Sequence, residues 1–214
     1  MATVFHMSKV ALGLMPKGVS PFFLLRNWRR HLAAVLALFA IALIVDSLYI
    51  HAKAQLGQYL IRSAWKESLE KGEQVKPWCW ADTWPVARLH IPKLNVDQVV
   101  LAGDNGQALA FGPGLISTSS GGLVVSGHRD THFSFLEHIT LGSVLEFQYY
   151  KDSGPRRFQV TELEVVNIDD TDLYVPEQSL LLYTCWPFRG VELHTPWRYL
   201  AIAVPQIRSE TENE

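Results

Sequence analysis

From Leu32 to Ile50 the chain runs for nineteen residues, LAAVLALFAIALIVDSLYI, with one charge, Asp46, near the far end. The hydrocarbon core of a bilayer takes about 20 apolar residues as helix. Few other structures are open to such a stretch, because any irregular backbone in lipid leaves polar groups unpaired. It is long for a cleaved signal peptide, starts late, and has no small-x-small site at its end. It predicts one transmembrane helix over 32–50. Arg26, Arg29 and Arg30 cluster just before it, whereas Lys53 and Arg62 are spread out behind it. The positive-inside rule then puts the N-terminus in the cytoplasm and the rest of the chain outside. Lys66, Lys71 and Lys76 reduce that asymmetry.

The remainder of a 214-residue chain is enough for one core of ordinary size. A formal net charge of −2 argues against nucleic acid as a partner, which would need a clustered basic face. Residues 1–31 read as a short cytoplasmic tail, disordered, with Pro16 and Pro21 opposing any long helix. Ala52 to Lys71 reads as helix, with Leu56, Tyr59, Leu60 and Ala64 at helical spacing. Glu67 and Lys71 form an i,i+4 pair in the favourable order. The stripe is narrow, so 51–83 is expected to be a solvated helical stalk and linker; the alternative is an interfacial helix that sets the height of the β-rich region above the bilayer. Gly72 and Pro77 end the helix. An acidic tail over 207–214 is expected to be disordered.

From Trp84 the pattern changes to short strand-like runs: Val86–Ile91, Val96–Val100, Gly122–Ser126, Val144–Tyr150, Arg157–Asn167, Leu180–Cys185 and Trp197–Val204. Gly103-Asp104-Asn105-Gly106, Gly112-Pro113-Gly114, Gly121-Gly122 and Asp152-Ser153-Gly154-Pro155 separate them as turns. The alternation in Arg157–Asn167 slips phase near Glu162, which predicts a bulge. Phe133–Ile139 reads as a short helix, and Asp169–Tyr174 as a turn or a second one. The chain from 84 to 206 is therefore a mainly β domain, a barrel or a sandwich.

Cys185 stands where one of these strands must stop, since Pro187 comes two residues later and proline cannot continue a central strand. His128 comes after the strand Leu123-Val124-Val125, and Arg198 lies inside Trp197–Ile202. A thiol, an imidazole and a guanidinium on or beside strands are the parts of a cysteine acyl-transfer site. Arg198 is separated from Cys185 by one loop, Trp186–Pro196, so the two fit neighbouring antiparallel strands with both side chains on one face. Bland readings stand beside each. Cys185 could be a core cysteine, and Thr184 an ordinary strand threonine or a substrate-orienting one. A disulfide between Cys79 and Cys185 would consume the thiol, so Cys79, between Trp78 and Trp80, is expected to pack as a small hydrophobe. His128 and His132 have i,i+4 spacing but lack the glutamate of a zinc helix. Asp169, Asp170 and Asp172 are explained by turn capping as well as by calcium. His90, His138 and His194 read as ordinary surface or core residues. Neither a metal nor another cofactor is called for. Without C-x-x-C, a thiol–disulfide oxidoreductase is weak. Asp130 is expected to cap the helix after His128. Trp78, Trp80 and Trp84 read as packing of the linker on the β domain, with an interface belt or a lid as alternatives.

The order His128, Cys185, Arg198 resembles the sortases, cysteine transpeptidases that join surface proteins to an acceptor. Thr184-Cys185 matches that family's Thr-x-Thr-Cys ending, except that Leu182 stands where threonine is usual. Gly127-His128-Arg129-Asp130-Thr131-His132-Phe133 and the Trp-Pro-Phe after the cysteine look most like the proteobacterial branch. The resemblance covers roughly 84–204. It implies a closed or partly closed barrel of about eight strands with one or two short helices. It implies that Cys185 attacks a peptide carbonyl, His128 is general acid and base, and Arg198 holds the substrate or oxyanion. The implied donor is a membrane-tethered protein bearing a Leu-Pro-x-Thr-Gly-like signal, and the implied acceptor an amine. The implied location is the inner membrane, with the β domain periplasmic. Water in place of the amine would make it an endopeptidase, and an inert thiol would leave a tethered peptide-binding domain.

Overall fold

A computed structural model describes residues 21–117, 121–170, 174–190 and 195–206. The expected tails therefore fall outside the described residues over 1–20 and 207–214, as do Asp172 and His194. The chain divides after Ala52 into two units.

Helix α1 runs from Pro21 to Lys71. Proline is tolerated in the first turn, where its missing N–H has no intrahelical partner, so Pro21 starts a helix that the sequence pattern has it oppose. In the first unit every described side chain from Trp28 to Ala52 is exposed. The helix is long and apolar enough to cross a membrane, with a mean hydropathy of 2.4 over its most apolar window. That is compatible with a single-pass anchor. Gly72 closes α1 at φ 68°, a left-handed conformation that suits glycine, and its N–H reaches Ser68 O at 2.9 Å.

The second unit begins with the rest of α1. This part is not a solvated stalk. Gly57, Ile61, Ala64, Trp65 and Ser68 are buried, at helical spacing, and Ile61 joins Leu101 and Ala108 in a small cluster with Trp78 and Phe111. The buried stripe is rotated from the one expected: Leu56 and Tyr59 face solvent. Gly57 packs closely here: a Cβ would come within 3.1 Å of the Phe111 ring, so the ring would have to shift slightly.

Eight strands make up the rest: β1 (Pro85–Ile91), β2 (Val96–Ala102), β3 (Gly114–Ser117), β4 (Leu123–Ser126), β5 (Val144–Tyr149), β6 (Arg156–Asn167), β7 (Leu180–Cys185) and β8 (Trp197–Pro205). They close as β1-β2-β3-β4-β7-β8-β6-β5, with β5 pairing back to β1. The β2–β3 and β4–β7 pairs are parallel and the others antiparallel. The barrel is filled by Leu89, Val125, Phe147, Phe158, Leu182, Ala201 and their neighbours, with Phe133 and Leu136 closing it from the β4–β5 connection. Each such leucine or phenylalanine contributes about 1.5–3 kcal/mol by leaving water. The register of β6 on β8 shifts between Val160 and Glu162, where the sequence slips phase.

Three short elements are not anticipated, the first a 3₁₀ turn over Pro92–Leu94. The Gly103–Gly106 turn opens a six-residue helix, α2 (Gly106–Phe111), whose first turn is capped by Asn105 Oδ1 accepting from Ala108 N at 2.8 Å. Strand β3 is four residues long and touches β2 at only two register positions. Between Ser134 and His138 the chain forms a 3₁₀ helix, shorter than the Phe133–Ile139 helix expected, and Asp130 does not cap it.

Candidate active site

Strand β7 reads LLLYTC rather than alternating, because both of its faces are covered. Leu180, Leu182 and Thr184 turn into the barrel, while Leu181 packs outside with Val124, Val175 and Leu200. Cys185 shares this outer face with Leu181 and Tyr183, since side chains two apart on a strand point the same way. The ladder with β8 pairs Tyr183 with Leu200, Thr184 with Tyr199 and Cys185 with Arg198. Thiol and guanidinium therefore leave adjacent strands directly opposite one another, where Cβ atoms lie roughly 4.5–5.5 Å apart. Both residues are half-buried. The expected placement of Cys185 and Arg198 on neighbouring antiparallel strands, on one face, is present.

Past Cys185 the ladder makes one more bond, Trp186 N to Trp197 O at 3.0 Å, and stops at Pro187. Trp186 stacks on Tyr199 with centroids 5.8 Å apart, and Phe188 meets both rings edge-on. The aromatic residues after the cysteine thus fold back on β8. Arg198 Nη1 donates to Thr195 O and Trp197 O. Burial pushes the Tyr183 phenol up, with Asp104 and Cys185 adding to the rise and Arg198 opposing it, so these groups share one electrostatic neighbourhood.

His128 arrives from the other side. β4 runs parallel to β7 up to Ser126↔Tyr183. Gly127 then keeps contact with both of the next β7 residues: its N–H donates to Tyr183 O at 3.4 Å, and its carbonyl accepts from Thr184 Oγ1 at 2.6 Å. Gly127 has no room for a side chain, because a Cβ would sit 2.7 Å from the Phe133 ring. His128 comes immediately after and is exposed. Its carbonyl accepts from Thr131 N and Phe133 N, closing a tight turn. The fold thus brings the residue before His128 against the two residues before Cys185, of which Thr184 is 57 positions away in sequence (184 − 127).

Thr184 is 1% exposed and its hydroxyl is already engaged. It faces away from the thiol, so the substrate-binding reading of Thr184 gives way to one in which it ties β7 to the His128 turn. Arg129 was expected only as part of that turn. It is in fact buried, donating from Nη1 to Pro187 O at 3.0 Å and from Nη2 to Gly190 O at 2.6 Å. A single guanidinium therefore joins the histidine turn to the loop after the cysteine. The signal for it in the sequence was an arginine directly after the histidine, which surface and buried arginines share. His132 is half-buried. Burial first, and the nearby His128 second, hold its imidazole below the usual range.

Cys79 and Cys185 are both free. Cys79 is exposed rather than packed, and Trp80 is exposed with it, while Trp78 and Trp84 are half-buried. Asp169 and Asp170 bond to Asn167, forming a turn. No group of three or more possible metal ligands occurs among the described residues.

A family model described as a sortase domain matches residues 89–206, more than half of the chain. The chain belongs to the sortase family. Sortase A from Corynebacterium diphtheriae superposes with a TM-score of 0.52 at 20% identity, over 62% of this chain and 66% of that one. Sortase C1 from Streptococcus agalactiae gives 0.50 at 23% identity, over 59% and 70%. The match thus spans just under two thirds of the first of these sortases, and at such identities it establishes the barrel fold. Comparison with curated protein sequences gives no match.

Proposed function

We propose that the protein is a membrane-anchored sortase-type transpeptidase with Cys185, His128 and Arg198 as its catalytic residues. The observation that carries this is the cross-strand pair Cys185↔Arg198, with the Gly127–His128 turn bonded to the residues just before the cysteine. Cys185 Sγ attacks the scissile carbonyl carbon of a Leu-Pro-x-Thr-Gly-like signal. The C=O electron pair moves to oxygen, and Arg198 stabilises that charge. Its Nη1 donates to two backbone carbonyls, which anchors the guanidinium at the start of β8. The oxyanion collapses, the C–N bond breaks, and the His128 imidazolium gives its proton to the departing amine, leaving a thioester on Cys185. An acceptor amine then attacks the thioester, neutral His128 takes its proton, and the thiolate leaves. No cofactor enters this sequence.

Residues 32–50 anchor the chain in the inner membrane in this reading, with the N-terminus cytoplasmic and the barrel periplasmic. A substrate tethered in the same bilayer meets the site at raised effective concentration, so weak affinity for a short signal suffices.

The test uses the full chain in detergent, since Ile61 and Trp65 of α1 are buried in the barrel unit. It is mixed with a panel of signal peptides, with and without amines, and monitored by mass spectrometry. A peptide adduct on Cys185 that passes to the amine is expected, and neither adduct nor transfer in Cys185→Ala. An adduct released only to water would make the protein an endopeptidase. A Cys185 that takes neither peptide nor iodoacetamide would leave a binding domain.

A further inference from the structure

The part of α1 in the barrel unit has one broad apolar surface, and the barrel covers only part of it. Gly57, Ile61, Ala64 and Trp65 are buried. At the uncovered edge of that surface Lys53, Leu56, Gly57 and Leu60, with Trp78, Trp80 and Phe111, border a groove of about 420 Å³. Leu56 is 57% exposed and Trp80 75%. Trp78 is spent on the barrel, edge-on to Phe111 at 5.1 Å, whereas the Trp80 indole stands out from it. An exposed tryptophan beside an exposed leucine at the rim of an apolar groove marks an interaction surface.

Its place in the chain identifies the occupant. Lys53 comes three residues, and Leu56 six, after Ile50, the last residue of the apolar span. Six residues reach at most about 20 Å even when extended, and about 9 Å as helix. The headgroup layer beyond the hydrocarbon core is roughly 5–8 Å thick on each side. The groove is thus confined by covalent connection to the neighbourhood of that layer. Its chemistry fits the layer as well. Tryptophan concentrates at membrane interfaces, where its ring is apolar and its N–H stays wet. Lys53, with an aliphatic stem and a cationic head, suits the same depth beside phosphate. No carboxylate lines the groove among the described residues.

We propose that this groove is a bilayer-docking surface, in which Trp80 and Leu56 enter the headgroup–acyl boundary and Lys53 meets lipid phosphate. This rests on the reading of 32–50 as a membrane span.

The test uses the full chain in phosphatidylethanolamine–phosphatidylglycerol liposomes. Cys185→Ala leaves Cys79, exposed and next to Trp80, as the one thiol for a nitroxide label. Power saturation then compares collisions with oxygen, which partitions into lipid, and with a nickel chelate, which stays in water. Position 71, exposed at the far end of α1, serves as reference through Lys71→Cys in a chain without the native cysteines. The oxygen-to-nickel ratio at Cys79 is expected to be several-fold above the reference, and to fall to it in Trp80→Ser. Equal ratios at both positions in liposome-bound protein would overturn the docking surface while leaving the anchor. Failure of the chain to float with the liposomes would instead refute the anchor. A Cys79 label shielded from both reagents would show the groove covered by protein, a second copy or a partner, and would also overturn the proposal.

Discussion

On the β7–β8 side of the site, consecutive register pairs from Leu180↔Ala203 to Cys185↔Arg198 fix where thiol and guanidinium stand. The placement comes from backbone hydrogen bonds and from core side chains beneath them, such as Leu182 and Ala201. On the β4 side the ladder ends at Ser126↔Tyr183, one residue short of the Gly127–His128 turn. Beyond it a single long backbone bond, Gly127 N to Tyr183 O, is joined by side-chain ties: Thr184 on Gly127 O, Phe133 beneath Gly127, and Arg129 on Pro187 O and Gly190 O. A ladder resists any single substitution, because neighbouring pairs hold the register. A turn tied by individual side chains moves when one of them is changed. The thiol–guanidinium pair is thus built into the sheet, while His128 is adjustable from outside it.

Changing a group on the rigid side should alter chemistry without altering structure. Arg198→Lys is expected to lose roughly 10²–10³-fold in kcat/KM, the scale of a lost oxyanion donor, because a point charge cannot reproduce the fork. Thermal stability should stay within about 0.5 kcal/mol of wild type, as for most substitutions outside the core. Wild-type turnover would remove Arg198 from the mechanism.

On the adjustable side the structure should move first. Arg129→Lys cannot span Pro187 O and Gly190 O together. We expect kcat to fall about tenfold, short of the roughly 10²-fold that a 1 Å misplacement can cost, with KM little changed. Hydrogen exchange should quicken over 127–133 and not over 180–185. Equal loosening of both segments would erase the distinction between the two sides.

Thr184→Val keeps the shape of the side chain and removes one bond. It should cost about 1 kcal/mol of stability and less than tenfold in kcat/KM. A larger effect on KM than on kcat would return Thr184 to substrate contact.

The smallest effect expected is of pH. Burial and the neighbouring His128 lower the His132 pKa in the folded chain, so the neutral ring is favoured there. The corresponding stability is present above about pH 6.5, the unfolded value, and is lost as pH falls from there through the folded pKa. Protection of 127–133 should therefore weaken on acidification, more than that of 180–185, and His132→Gln should abolish the difference.

Much of this architecture was legible in the chain. The apolar span, seven of the eight strands, the phase slip near Glu162 and the strand end at Cys185 are local patterns of period and proline placement. β3 and α2 were not, because four and six residues carry too little periodicity, and Asn105 and Gly114 look like turn residues wherever they occur. The rotated stripe on α1 has a related cause. Leu56 and Tyr59 complete an apolar pattern, but Gly57 and Ser68, which do not look apolar, are the residues that fit against the barrel.

By itself the sequence determined the classes of structure: one helix apolar enough for a membrane, a mainly β domain, and a thiol, an imidazole and a guanidinium in strand contexts. These arise from forces acting within a few residues. Only the tertiary structure decided that β4 lies parallel to β7, which sets Gly127 against Thr184, and that Arg129 is buried between two loops. It also decided which residues of α1 the barrel covers and which it leaves at an open groove. Such outcomes depend on which distant segments exclude water from one another, and no local pattern records that partner.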